Sequence, residues 1–561
     1  MKKIIELLSS VYDSQLDESV MQAFISKVGQ GKGRHLQKRK QGWDETDVVL
    51  ITYADQFHHK NEKTLKTLSG FYNEWLNKTF SHIHLLPFYP WSSDDGFSVI
   101  DYHQVSPECG DWQDIRQLNK STRLMFDFVC NHISAKSNWF KGYLAGNPDY
   151  QNFFISVDPN TDLSAVTRPR ALPLLSPFTL ANGSQEYIWT TFSDDQIDLN
   201  FANPQVLLAM VDVLLHYLKE GADYIRLDAV GYMWKTPGTR CIHLEKTHQL
   251  VKLFRAVVDE VAPGTVLITE TNVPHQDNIS YLGNGHDEAQ MVYQFPLPPL
   301  VLHAIHTGSA RVLSQWANSL GDDNHGNTTW FNFLASHDGI GLNPLRGILP
   351  EEDILQLVNN LQDEGALVNW KNNPDGTRSP YEINVTYMDA LNRRDSSDEE
   401  RLARFILAHA ILLSFPGVPA IYVQSILGSR NDYAGVEKLG YNRAINRQKY
   451  ELDEIESQLR GENTLREQVY QKLSHLINVR KKQPAFHPDS TFETQSINDS
   501  LLEIKRTAEN GSRILALFNM RDKTQSVTLP EYNFEDLMTG LKINGKATYE
   551  MQSYQVLWLS Y

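Results

Sequence analysis

Cysteine is scarce in this 561-residue chain. The three present, Cys109, Cys130 and Cys241, cannot all pair and lack the close spacing of a metal site. That excludes a disulfide scaffold and fits a reducing compartment. Long apolar runs are also missing, and none approaches the roughly 18 residues that would span a bilayer. The opening, Met1 to Leu8, starts like a signal peptide, but Glu6, Tyr12 and Asp13 interrupt it before an apolar region can form. A cytoplasmic chain is the expectation. Positive charge is in deficit: the net charge of −16 excludes a surface built for nucleic acid or anionic membrane. The one basic run, Gly31-Lys32-Gly33-Arg34 on to Lys40, reads as a solvated face. There is no internal repeat and no low-complexity tract.

What is present is apolar and aromatic. An apolar content of 41% with 11 Trp, 24 Tyr and 24 Phe supplies a large core and suits stacking on sugar rings. The length exceeds one ordinary domain. Short apolar runs at 48–53, 83–88, 124–129, 224–228, 266–270, 291–295, 330–335 and 418–422 alternate with longer amphipathic segments. Eight such units predict an α/β fold, a closed parallel (β/α)8 TIM barrel whose working groups sit at the strand C-terminal ends. The segments 133–195 and 339–384 are too long for simple barrel loops and read as inserted domains over that face. The second holds the turn Asn373-Pro374-Asp375-Gly376. The expected organisation is a helical extension over 1–45, barrel over 46–132, 196–338 and 385–482, and a C-terminal antiparallel β-domain over 483–561, where apolar residues alternate in period two.

The fourth run, Tyr224-Ile225-Arg226-Leu227-Asp228-Ala229-Val230, is where chemistry is expected. Arg226 and Asp228 lie two apart on a strand and share a face. The guanidinium is expected to favour the ionised carboxylate and lower its pKa, as a nucleophile requires. The alternative is a structural ion pair. Glu270 ends the fifth run, and His337 and Asp338 end the seventh. Three inward carboxylates are what retaining glycoside chemistry needs, a nucleophile and an acid about 5–5.5 Å apart and a third group that raises the acid's pKa.

Asp127-Phe128-Val129-Cys130-Asn131-His132, Arg226-Leu227-Asp228-Ala229-Val230, Glu270 and His337-Asp338 resemble, in order and spacing, the four motif regions of the α-amylase superfamily, glycoside hydrolase family 13. The resemblance covers essentially the whole chain. It implies that Asp228 is the nucleophile, Glu270 the acid/base and Asp338 the transition-state stabiliser. His132, Arg226, His337 and Tyr232 would meet the sugar. Asp127 and Asn131 are expected to be structural, with no metal and no cofactor. Within the superfamily, Asp94-Asp95-Gly96-Phe97, Thr167-Arg168-Pro169-Arg170, His337-Asp338-Gly339-Ile340-Gly341, Tyr381-Glu382-Ile383-Asn384 and the run Asn442-Arg443 to Arg447 are similar to the sucrose phosphorylase group. That implies Asp94 and Arg443 at the far edge of a glucose, Phe97 stacked nearby, and Arg170, Tyr381 and Arg168 on the phosphate or acceptor side.

Two positions depart from the group. Asn272 stands where it carries a histidine that meets fructose, and Glu382 where it carries glutamine. The wording of the chain is most similar to the branch acting on glucosylglycerate. This implies a retaining glucoside phosphorylase with α-glucoside, inorganic phosphate and glycerate as small-molecule partners, in a monomer or homodimer. Arg168, Arg170, Lys235 and Arg378 are the candidates to meet the glycerate carboxylate, and Glu382 is expected to accept from acceptor hydroxyls. Sucrose or glucosylglycerol phosphorolysis, and a retaining α-glucosidase or transglucosidase, use the same carboxylates. A non-catalytic barrel subunit typically lacks one of them.

Overall fold

The computed structural model describes residues 1–13, 16–32, 40–321, 323, 325–373 and 375–561. Most of the basic run at 31–40, and Pro374 of the turn at 373–376, lie outside the described residues. Eight parallel strands close a barrel: β1 (Val49–Thr52), β2 (His82–Leu85), β3 (Arg123–Phe128), β4 (Ala222–Leu227), β5 (Val266–Thr269), β6 (Met291–Tyr293), β7 (Thr329–Phe333) and β8 (Val418–Tyr422). They are the eight runs the sequence predicts. Each pairs with the next, and β8 closes on β1 with Val49 opposite Ala420. Every residue of β1, β2, β5 and β8 is buried, because helices cover the barrel outside and side chains fill its inside.

The helices follow from local chemistry. Pro204–Lys219 starts at Asn203, whose side chain accepts from the Gln205 N–H, with proline in its first turn, and buries Val206, Leu207, Val211 and Leu214 against the barrel. Asp398–Ser414 begins with a reciprocal cap between Ser397 and Glu400. Its last carbonyls are met from outside the helix. Arg480 Nε donates to the Leu413 carbonyl at 3.0 Å, and Arg506 Nη1 to that of Ser414 at 2.8 Å. Both guanidiniums are fully buried. Arg506 thereby fastens the six-stranded C-terminal sheet, which runs from Thr491–Asn498 to Val556–Ser560, to the barrel.

Two excursions roof the C-terminal end. After β3 the chain passes through His132–Ser134, the helix Asn138–Leu144 and the hairpin Leu175–Thr179 with Gln185–Trp189. It returns on Gln196–Asp198, which pairs antiparallel with His132–Ser134. After β7, Ile340–Gly341, Arg378–Asn384 and Leu367–Asn372 form a three-stranded sheet.

Candidate active site

The barrel mouth opens into a cavity of about 1100 Å³. Asp94, Arg168, Arg170, Tyr232 and Glu270 line it on one side of the sequence, and Asn272, Asp338, Tyr381, Glu382 and Arg443 complete the predicted set there. Asp228, Arg226, Phe97, His132 and His337 are not part of its lining, and all five are buried.

Asp228 follows β4 by one residue, and Ala229 then takes a left-handed conformation, φ 49°, that turns the chain sharply. This aims the Ala229 N–H at Glu270, just past β5, at 3.1 Å. The Arg226 Nη1 donates to Asp228 at 2.8 Å and also to Asp127, while its Nη2 lies 3.8 Å from Glu270. Asp127 in turn accepts from His84 Nε2 at 2.6 Å, so its role is to anchor the guanidinium. Arg226 is held further by the Tyr293 hydroxyl at 3.1 Å and the Phe97 ring at 5.5 Å.

One guanidinium divided among three carboxylates cannot keep them all ionised. Burial raises Asp228 above the ordinary range; Arg226 opposes this, and Glu270 adds to it. The expectation of a lowered Asp228 is thereby corrected: desolvation outweighs a cation shared with Asp127. Burial likewise raises Glu270, against Arg226 and with Asp338. As a pair the two retain a proton. Asp228 has the short Arg226 contact, and Glu270 has the longer one together with the Ala229 N–H. Asp338 is the opposite case. Burial alone would raise it, but the neighbouring His337, then Arg443, whose Nη1 donates at 2.7 Å, with Arg226 and Arg447 behind, hold it well below the carboxylate range. His337, 3.4 Å away, is pushed by burial to about 3 and is neutral at pH 7, so it offers an N–H rather than a charge. It stacks on Phe97 at 4.9 Å.

Asp94 and Asp95 occupy a turn with φ near 50° at both residues. Gly96 must follow, since a Cβ there would sit 2.7 Å from the Pro87 carbonyl. The turn hands Asp94 to Arg170 at 3.1 Å and Asp95 to Arg447 at 3.0 Å. Arg447 and Asp95 are parts of the site that sequence reasoning left without roles. The four-residue spacing from Arg443 to Arg447 was the available signal. His132 donates Nε2–H to the Phe97 carbonyl at 2.8 Å.

The two departures from the sucrose phosphorylase pattern meet on one strand. A Cβ on Gly339 would lie 2.3 Å from Glu382, and one on Gly341 2.2 Å from Asn272. Both Glu382 oxygens are occupied: Arg443 Nη2 donates at 2.7 Å and its Nε at 3.1 Å, with Asn369 at 3.2 Å. Glu382 therefore sets Arg443, where acceptor hydroxyls were expected. Lys235 is also corrected. Its ammonium is buried between Asp198 at 2.7 Å and Asn131 at 2.9 Å, away from the acceptor. Arg378 packs over Trp370 at 5.5 Å, outside the cavity wall, whereas Arg240, Arg346 and Lys371 line it. Among the described residues, no group of three or more His, Cys, Asp or Glu is arranged to hold a metal ion.

Comparison with known proteins places this geometry. The family described as Alpha amylase, catalytic domain, matches residues 52–340. The chain is 62% identical over 558 residues to the glucosylglycerate phosphorylase of Escherichia coli, covering 100% of each. It is 31% identical to a sucrose phosphorylase of Streptococcus mutans, over 86% of this chain and 97% of that one. The crystal structure of sucrose 6F-phosphate phosphorylase from Thermoanaerobacter thermosaccharolyticum superposes with a TM-score of 0.74 at 26% identity, covering 85% of this chain and 94% of that one. With sequence and barrel in agreement, the chain belongs to the α-amylase family, in its sucrose phosphorylase group.

Proposed function

We propose that this chain catalyses the reversible phosphorolysis of 2-O-α-D-glucosyl-D-glycerate to α-D-glucose 1-phosphate and D-glycerate. The observation that carries the reading is the 62% identity, over the whole of both chains, to a glucosylglycerate phosphorylase. The reaction is a double displacement. Asp228, held by Arg226, attacks the anomeric carbon while Glu270 gives its proton to the glycosidic oxygen. D-Glycerate leaves as the alcohol, and a β-glucosyl ester remains on Asp228. An oxygen of phosphate then attacks the same carbon, Asp228 departs as carboxylate, and Glu270, now ionised, takes up a proton from the incoming phosphate. Two inversions leave the α configuration. Asp338, kept ionised by Arg443, stabilises the positive charge that develops on the ring carbon and oxygen.

Phosphate must outcompete water for the ester. Arg170, with Tyr381 on the same cavity wall, supports this, since a guanidinium binds phosphate through two parallel hydrogen bonds. The cytoplasm suits a reaction that draws on free phosphate, and the three cysteines are all unpaired and buried. In that setting the enzyme works as a monomer or homodimer on small molecules alone.

The test is phosphate release from α-D-glucose 1-phosphate with D-glycerate, glycerol, fructose and water compared side by side. D-Glycerate should be fastest and its product an α-glucoside. Glycerol or fructose ahead by about tenfold would reassign the acceptor and leave the phosphorylase reading standing. Water as fast as any of them would make the enzyme a hydrolase.

A further inference from the structure

The acceptor's carboxylate needs a cation, and most cations of the cavity are already paired. Arg170 is matched by Asp94 at 3.1 Å, Arg443 by Asp338 and Glu382, Arg447 by Asp95 at 3.0 Å, and Arg346 by Glu351 at 3.0 Å. Arg168, Arg240 and Lys371 line the same cavity, and no carboxylate among the described residues lies within ion-pair distance of any of them. We infer that Arg240 is the counter-ion of the acceptor carboxylate, so that the acceptor's anion and phosphate are gripped by different arginines. This rests on the phosphorylase reading above.

Three observations carry it. The first is where Arg240 stands relative to the proton donor. Tyr232 lies on the cavity wall with both Arg240 and Glu270. Burial raises its phenol first; beyond burial, Glu270's charge pushes it up and Arg240's pulls it down. One hydroxyl thus feels the acid/base and the arginine together. The oxygen that receives the Glu270 proton is the acceptor's own 2-oxygen, and its carboxylate is one carbon away, so a cation close to Glu270 is the one within reach.

The second is that the loop holding Arg240 is built rather than draped. It leaves the barrel after Gly231 and returns to it, the His243 N–H donating to the Gly231 carbonyl at 3.0 Å. Cys241 and His243 both adopt left-handed backbone, φ 51° and 55°, a conformation that costs a non-glycine residue energy and persists only when its surroundings impose it. Cys241 is buried against Leu163, Val166, Leu174 and Trp189 of the inserted segment.

The third is the tie to the loop expected to take phosphate. The Arg240 carbonyl accepts the Thr167 N–H at 2.9 Å, one residue before Arg168 and three before Arg170. The two anion sites are therefore neighbours with separate side chains. Phosphate and glycerate still exclude one another, because each must put an oxygen on the same anomeric carbon. Arg168 and Lys371 are open too, but the Tyr232 phenol that feels Glu270 is pulled down by Arg240 and by neither of them.

The experiment measures kcat/KM for D-glycerate and for glycerol, with α-D-glucose 1-phosphate as donor, in wild type, Arg240→Ala and Arg240→Lys. The two acceptors differ by a carboxylate in place of a hydroxymethyl group, so their ratio isolates the anion and cancels any general damage to the enzyme. The ratio should fall by about ten- to a hundredfold in Arg240→Ala, as for loss of a charged hydrogen bond, and recover in part in Arg240→Lys. The KM for phosphate in the reverse direction should respond to Arg170→Ala far more than to Arg240→Ala. A wild-type preference for glycerate that survives in Arg240→Ala, or an equal loss with both acceptors in both variants, overturns the inference and leaves the reaction standing. A wild type that does not prefer glycerate over glycerol overturns the inference together with the glycerate assignment and leaves the phosphorylase reading standing.

Discussion

At the scale of the residue, the site is a problem of dividing cations among carboxylates. Arg226 serves Asp127 and Asp228 directly and Glu270 at a distance. Asp338 has Arg443 to itself apart from Glu382. The same side chain chemistry thus gives one carboxyl that keeps a proton and one that cannot. Because burial raises Glu270, the proton it would donate in the proposed reaction is present below its raised pKa and lost as pH rises through it. The kcat/KM for phosphorolysis should therefore show an alkaline limb. Glu270→Gln should remove that limb along with most of the rate, and should cost less with α-glucosyl fluoride, whose leaving group needs little protonation. A limb that persists in the variant belongs to another group. Arg170 offers a second test. A charge-assisted contact to phosphate is worth about 1.5–3 kcal/mol, so Arg170→Ala should raise the phosphate KM by about ten- to a hundredfold and increase hydrolysis. Arg170→Lys, which keeps the charge without the fork, should lose less. Unaltered phosphate saturation in both would make the Asp94–Arg170 pair purely structural.

At the scale of the element, the short strand Ile340–Gly341 and its preceding Gly339 matter more than their length suggests. Two missing side chains let Glu382 and Asn272 pack directly on the backbone. Glu382 is clamped by Arg443 at 2.7 and 3.1 Å and cannot swing aside, so a methyl group at 339 has nowhere to go. Gly339→Ala should cost about 1–3 kcal/mol of stability through overpacking. It should also lower kcat by tenfold or more by displacing Arg443 from Asp338, about 1.4 kcal/mol of transition-state stabilisation. Thermal melts and kinetics on one preparation check both; wild-type kcat in Gly339→Ala would show that Arg443 does not depend on this packing. The barrel strands were readable because both faces are buried, which makes them plain apolar runs. Most of their C-terminal ends were read too long, by up to three residues at 83–88 against His82–Leu85, because the chain turns away from the ladder where the working side chains begin. The strand Leu367–Asn372 has no fully buried residue, so it carries no pattern to read.

At the scale of the whole molecule, burial of histidine fixes the response to acid. His82, His337 and His409 are fully buried, and desolvation lowers them to about 4, 3 and 4. In the unfolded chain each titrates near the ordinary value of about 6.5. Between those values the unfolded state binds protons that the folded state refuses, so stability falls as pH drops from about 6.5 towards about 4. The melting temperature should decline across that window, and His409→Gln, which removes one such group outside the active site, should flatten the decline. A melting temperature that holds steady from pH 7 to pH 5 would mean that these imidazoles take up protons without unfolding. By itself the sequence determined the barrel, its eight strands and the three carboxylates, because apolar periodicity and the residues at strand ends are local properties of the chain. Tertiary structure alone decided how charge is shared: that Arg226 is divided among carboxylates from three strands, that Lys235 belongs to Asp198, and that Glu382 is spent on Arg443. Those residues are 37 to 99 positions apart except within the strand, and Coulomb energy depends on distance in space and on exclusion of water, neither of which is written in their order along the chain.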